Sequence, residues 1–225
     1  MGAQLIDISA DARGLTGDLD WIHSISPANS VNLGASSLSL AGTRWAYARL
    51  GVTAKPRSRA AFQIATDLGR GSEGGRGFGY AALRGGITYE AVPKRLYVEL
   101  EDQLIDVHDT AGNIVKVGLV WPASVSLVAR AAVNGTTNGN VDTRALALRL
   151  DYARGACSIF GGVAVGRSRP VLVGLAAGGM AQDLKEIFAG AGIPLRQLRL
   201  TLALDWLNLG ETRRKSLALS LKIPL

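Results

Sequence analysis

The chain has 225 residues, 48% hydrophobic and only 19% charged, with a formal net charge of +7 and a pI near 9.9. No run of about eighteen apolar residues occurs, which excludes a transmembrane helix. One cysteine, Cys157, excludes an internal disulfide and reads as a small buried hydrophobe. The basic balance favours anionic partners: nucleic acid, acidic headgroups or an acidic solute.

The first residues, MGAQLIDISADARG, have neither the basic nor the apolar region of a signal peptide. For an exported protein the expectation is that a signal has been removed ahead of Met1 and Gly2. A cytosolic protein with a native Met1 is the alternative.

Strand-like segments then follow at 4–12, 17–26, 30–41, 43–54, 59–69, 77–91, 95–107, 114–121, 124–134, 141–153, 156–167, 170–180, 193–209 and 213–225. That is fourteen segments; merging the weak early ones gives a rival count of twelve. The connectors carry turn chemistry at Pro27-Ala28-Asn29, Lys55-Pro56-Arg57, Val92-Pro93-Lys94, Pro122-Ala123 and Arg154-Gly155. Longer polar connectors are expected at 69–77, 108–113, 134–140 and 210–215. From the fifth segment onward, long and short connectors alternate, as at the two ends of an outer-membrane barrel. The stretch AQDLKEIFAGAG at 181–192 breaks this rule and reads as a long connector able to hold a short helix. No linker or composition shift divides residues 1–225, so one β domain is expected.

Alternation is clearest at the end of the chain. Leu198, Leu200, Leu202, Leu204 and Trp206 alternate with Arg199, Thr201, Ala203, Asp205 and Leu207. Leu217, Leu219, Leu221 and Ile223 alternate with Ala218, Ser220, Lys222 and Pro224. Period two means strand, because successive side chains point to opposite faces. Runs this long exceed the usual soluble strand of about five or six residues and match the roughly nine to eleven that cross a bilayer. The fold class is therefore all-β: a single closed antiparallel transmembrane β-barrel of 12–14 strands. A soluble antiparallel sandwich that binds an anionic partner is the alternative.

Parity assigns faces. The lipid side takes Phe62, Ile64, Leu68, Leu96, Val98, Leu100, Val115, Val117, Leu119, Val125, Leu127, Val133, Leu146, Leu148 and Leu150. The opposite, pore-lining face takes the basic Arg49, Arg84, Lys116, Arg130, Arg149, Arg199 and Lys222, and the acidic Asp67, Glu99, Glu101, Asp151 and Asp205. The register flips near Ser36 and Ser37, which suggests a bulge. Trp21, Trp45, Tyr89, Trp121, Tyr152 and Trp206 fall near segment ends, where interfacial girdles lie.

Other motifs carry little chemistry. Gly69 to Gly74 fits G-x-G-x-x-G, but a strand follows rather than the helix a dinucleotide site needs. His23, His108 and Cys157 have no metal-ligand spacing. His23 and Ser24 point to opposite faces, so they form no nucleophile–base pair. His23 with a distant serine would make a lipid hydrolase, a second alternative. Asn134-Gly135-Thr136 supplies turn residues. The arginines are dispersed among acids, unlike a nucleic-acid surface. No metal, cofactor or catalytic set is expected.

The repeating strands, the amphipathic last strand and the alternating connectors resemble bacterial outer-membrane β-barrels over essentially the whole chain. Within that class the chain is similar to small basic porins for acidic oligosaccharides and to the barrels of exopolysaccharide-secretion proteins. It departs from the class in ending Ile223-Pro224-Leu225 rather than on an aromatic residue. The resemblance implies an outer-membrane channel for small polar or anionic solutes, or an export conduit, with membrane lipid and an acidic saccharide as partners. Mild anion preference is expected, carried by Arg130, Arg149 and Arg199; the alternative is that they pair across the wall with Asp151, Asp205 and Glu99 and leave little net field.

Overall fold

The computed structural model describes residues 2–8, 12–40, 43–57, 59–107, 110–137, 143–168, 181–195 and 198–222. They form fourteen strands: β1 (Gly2–Ile8), β2 (Ala12–Ser26), β3 (Asn29–Leu40), β4 (Thr43–Arg57), β5 (Ala60–Glu73), β6 (Arg76–Val92), β7 (Leu96–Val107), β8 (Thr110–Pro122), β9 (Leu127–Thr137), β10 (Thr143–Arg154), β11 (Cys157–Ser168), β12 (Gln182–Leu195), β13 (Leu198–Leu209) and β14 (Thr212–Lys222). Each strand pairs antiparallel with the one before it, and β14 pairs back on β1, so the sheet closes. Closure leaves no unpaired sheet edge, the condition for a β structure to cross hydrocarbon. Among the described residues no helix is long and apolar enough to cross a membrane.

The end where each odd strand passes to the next even one is the upper rim; the opposite end is the lower rim. Fourteen strands settle the count against twelve, but several boundaries move. Residues 181–192, expected to be a connector with a short helix, fall almost wholly in strand β12, which runs on to Leu195 and pairs with both β11 and β13. The segment expected at 193–209 begins its strand at Leu198. The one expected at 170–180 lies outside the described residues.

The long polar connectors also shorten. Residues 69–77 are mostly strand, with β5 and β6 meeting at the two-residue turn Gly74-Gly75, whose φ values of 56° and 82° suit glycine. Thr110 opens β8, Asn134-Gly135-Thr136 lies inside β9, and Thr212 opens β14. Lys55-Pro56-Arg57 stays within β4, beside a register shift. The expected alternation of long and short connectors holds only in part: the two longest intervals between strands, 138–142 and 169–181, fall at the upper rim, and the others are two to four residues at either rim.

The outward face carries the apolar belt. Ile64, Leu204 and Ile187 are 56%, 59% and 63% exposed. They belong to a continuous outer surface with Leu50, Phe62, Leu83, Leu119, Leu148 and Leu219. In water this exposure would be a large unpartnered patch; in lipid it is the contact surface. Val125 is the misplaced member, since it sits in the β8–β9 turn. Trp21, Tyr89, Trp121 and Tyr152 mark the lower margin of the belt and Trp206 the upper one. Trp45 is no girdle residue: it faces inward against Phe78 and Tyr80.

Which face is concave follows from contacts that skip a strand. Gln63 on β5 reaches Glu101 on β7 at 3.5 Å, over Gly86 of β6. Arg199 on β13 reaches Ser158 on β11, over Gly192 of β12. Side chains converge like this only on the inside of a curved sheet, and a β-carbon on either glycine would occupy the crossing.

β3 shows no bulge at Ser36 and Ser37; its register with β2 is continuous there, and the shift falls at Ser24 to Ser26. Polarity reverses because this part of β3 has left the belt, so Ser37 and Ser39 face outward and Leu38 faces in opposite Trp45. Inside, two apolar clusters fill the upper part. One is Ala145, Ala164, Leu184, Leu207 and Leu209. The other is Phe78 with Trp45, Tyr80 and Ile105. An eight-strand barrel is just filled by its side chains, and one of about sixteen holds an aqueous channel. Fourteen strands leave space between these limits.

Candidate functional site

Charged side chains on the inner wall fall into three groups, two of them at mid-height. In the first, Arg49 on β4 donates two hydrogen bonds to Asp67 on β5, at 2.8 and 3.2 Å. Arg84 on β6 stands 4.0 Å from Asp67 and 3.5 Å from Glu101 on β7. Asp67 is only 3% exposed, so this carboxylate depends on its guanidinium partner for the solvation that water would supply.

The second group spans β7 to β10. Arg130 on β9 lies 3.3 Å from Asp151 on β10 and 3.9 Å from Glu99 on β7. Arg149 donates to Asp151, its neighbour two residues along the same face, at 2.6 Å. The Arg149 guanidinium also sits 4.5 Å from the Phe160 ring centre and 5.9 Å from that of Phe188. Gly162, between them on β11, leaves the room that the Phe188 ring takes. Lys116 on β8 faces inward beside these residues.

Between these charges runs a floor of small residues: Gly118, Ala132, Ala147 and Ala164 lie side by side across four strands. The recess above the floor has a volume of about 490 Å³ and is lined by Glu99, Lys116, Arg130, Asn134, Arg149 and Phe188 among others. Lys116, Arg130 and Arg149 outnumber Glu99 and Asp151 here, so the recess can hold a polar anion.

In the third group, Asp205 on β13 accepts from Arg214 at 2.7 Å and from Ser216 at 3.0 Å, both on β14. Arg199 donates to the Ser158 hydroxyl. Lys222 is placed on the same face by register alone, opposite Arg199.

Eleven of the twelve expected inward residues thus bring their side chains to one wall, though not to one cluster. Sequence reading missed Arg214, Glu186, Glu90, Asp18 and Asp20, which register places on the same face. Counting them removes the excess positive charge expected for the whole lumen. What remains is an uneven distribution, with Asp18, Asp20 and Asp67 on the β2–β5 side and Lys116, Arg130 and Arg149 on the β8–β10 side. The signal for Arg214 was the alternation of Arg214, Ser216 and Ala218 with outward Lys215 and Leu217, carried one turn further than the polar run at 210–215 suggests.

The remaining motifs find other uses. His23 faces outward and stacks on Trp21 with ring centres 5.3 Å apart, so it lies away from any inward serine. His108 lies outside the described residues. Cys157 is exposed where β11 leaves the Gly155 turn, not buried as expected. Gly69 and Gly71 lie within β5, where a β-carbon on Gly69 would meet Ala46 O and Tyr47 Cβ and one on Gly71 would meet the Phe78 ring. Among the described residues no group of His, Cys, Asp and Glu is arranged to hold a metal ion.

No protein-family model and no curated protein matches the sequence. Solved structures do match the fold. The CymD monoaromatic hydrocarbon channel aligns with a TM-score of 0.68 at 10% identity, covering 98% of this chain and 86% of its own. The toluene transporter TbuX of Ralstonia pickettii gives 0.67 at 8% identity, over 98% and 87%. The KdgM porin gives 0.53 at 8% identity, over 97% of both chains. The chain has the fold of outer-membrane β-barrels. At these identities the likeness is one of architecture.

Proposed function

We propose that the protein spans a bacterial outer membrane as a channel and passes small polar solutes bearing negative charge, carboxylated saccharides among them. The observation that carries this reading is the recess on β8–β10, where Lys116, Arg130 and Arg149 surround a small-residue floor. The KdgM porin, one of the similar folds, has been solved in complex with oligogalacturonate, an acidic saccharide. In this reading Arg49, Arg84, Lys116, Arg130, Arg149, Arg199, Lys222, Asp67, Glu99, Glu101, Asp151 and Asp205 line the pore. Import and export use the same wall.

A second reading rests on a different part of the lumen. Trp45, Tyr47, Phe78 and Tyr80 form an inward aromatic group near the upper rim, with ring centres 5.3 to 6.1 Å apart. Such a group suits an apolar aromatic solute, the kind named for CymD.

Reconstitution in a planar bilayer tests both. Discrete conductance with an anion-directed reversal potential in a salt gradient supports the first reading. Conductance without ion preference, together with uptake of toluene into proteoliposomes, favours the second. Monodisperse protein in plain buffer overturns the membrane assignment underlying both.

A further inference from the structure

The outward face changes chemistry along a continuous line near the upper rim. Leu146 gives way to Arg144 on β10, and Val165 to Arg167 on β11. Ile187 gives way to Lys185 on β12, and Leu217 to Lys215 on β14. Register places Leu146 beside Val165, Val165 beside Lys185, and Ile187 beside Trp206, itself beside Lys215. The line therefore descends by about one outward position every two strands, as a flat membrane surface must when it crosses tilted strands. It marks where hydrocarbon ends.

Along this arc the first charged residue above the belt is basic on four strands, and all four side chains are exposed. Two acids adjoin the arc: Asp183, 3.9 Å from Arg167, and Asp7 of β1, which register places opposite Lys215. The Lys215 ammonium lies 4.8 Å from the Trp206 ring centre, at the depth where aromatic side chains meet headgroups. The lower margin carries the aromatic Trp21, Tyr89, Trp121 and Tyr152, and on β10 its first charge is Arg154, just below Tyr152. A basic arc over four strands at one margin and four aromatics at the other distinguish the two leaflets. The long connectors share the basic rim, which makes it the outer one.

We infer that the β10–β14 arc binds the phosphate groups of glycolipid headgroups in the outer leaflet. Four cations spread over five strands, just above the hydrocarbon, match an array of lipid phosphates in charge and depth. A protein partner at this height would have to displace lipid from the adjoining belt. The inference rests on the membrane placement proposed above and not on conduction.

The test uses the folded barrel in nonionic detergent, with native mass spectrometry as readout. The probes are bis-phosphorylated lipid A and the same glycolipid stripped of phosphate. The wild-type barrel should retain the phosphorylated form at least about tenfold better. The variant Arg144→Gln/Arg167→Gln/Lys185→Gln/Lys215→Gln should lose that preference, and each single substitution should weaken it about fivefold. Arg154→Gln, an exposed basic residue at the lower rim, should leave it intact. Equal retention of the two lipids overturns the inference, as does a preference that survives the quadruple variant or disappears equally with Arg154→Gln. Heat-modifiable gel migration verifies folding, and the single variants decide the matter if the quadruple one misfolds. A barrel that keeps the lipid preference but conducts no current overturns the channel reading alone.

Discussion

Arg130 and Glu99 approach to 3.9 Å although a whole strand, β8, lies between theirs. Gly118 makes this possible: a β-carbon there would stand 3.3 Å from Glu99 Oε2. The same glycine begins the small-residue floor of the recess. One position thus permits a contact across a strand and keeps the lumen open beside it.

Gly118→Val tests that double role. The backbone at Gly118 has no positive φ, so valine is tolerated there in strand geometry and folding should persist. Its methyl groups crowd the recess from beside Ala132 and push the Glu99 carboxylate away from Arg130. Single-channel conductance should fall by roughly a fifth to a half, in line with the lost cross-section. Unchanged conductance with normal heat-modifiable migration would remove the recess from the solute path.

The Arg49–Asp67 pair calls for a double-mutant cycle. Removing Arg49 leaves a carboxylate 3% exposed, with Arg84 no nearer than 4.0 Å. Breaking a buried pair costs about 3–5 kcal/mol. Arg49 keeps 23% of its side chain exposed, which lowers the expectation for Arg49→Met to about 2 kcal/mol in urea unfolding from micelles. Arg49→Met with Asp67→Asn should recover most of that loss, because no charge is then stranded. Additive effects would mean the two residues act independently.

The strand pattern could be read from the chain wherever a strand lay inside the belt, as in Leu198 to Trp206, because lipid on one side and polar lumen on the other impose strict alternation. It failed where strands rise above the belt. There the outward face turns polar and the inward face turns apolar, so the two signals cancel. β12 shows this: outward Lys185 and inward Leu184 and Phe188 blur the period, and the stretch imitates an amphipathic connector. Arg213, Arg214 and Lys215 imitate a turn for the same reason. The site was half legible. Parity gives a face, but the pairing of Arg130 with Glu99 across β8, and of Asp205 with Arg214, depends on register and curvature that no single strand encodes.

Neighbouring residues on β13 offer a direct test of facing. Leu204 is 59% exposed on the outward face, and Ala203 points inward. Leu204→Arg places a charge in the hydrocarbon and should cost about 2–4 kcal/mol of bilayer stability. Ala203→Arg enters the lumen and should cost less than about 1 kcal/mol. Unfolding in lipid vesicles measures both. Similar costs at the two positions would contradict the assigned faces.

The last prediction separates selectivity from affinity. A reversal potential responds to the total field of the wall, so each basic residue counts alike whether or not it is paired. Affinity for a passing anion depends on donors that are still free. Arg149 is engaged by Asp151 at 2.6 Å, and Arg130 by Asp151 and Glu99. Lys116 and Arg199 reach no acid among the described residues. Replacing Arg130, Arg149 and Arg199 with Gln one after another should therefore move the reversal potential toward cations in three similar steps. Block of chloride current by an added acidic saccharide should respond differently. Lys116→Gln should weaken it about tenfold, the worth of one charge-assisted hydrogen bond, and Arg149→Gln much less. If Arg149→Gln weakens block as strongly as Lys116→Gln, paired arginines bind the solute too, and the distinction between paired and free cations fails.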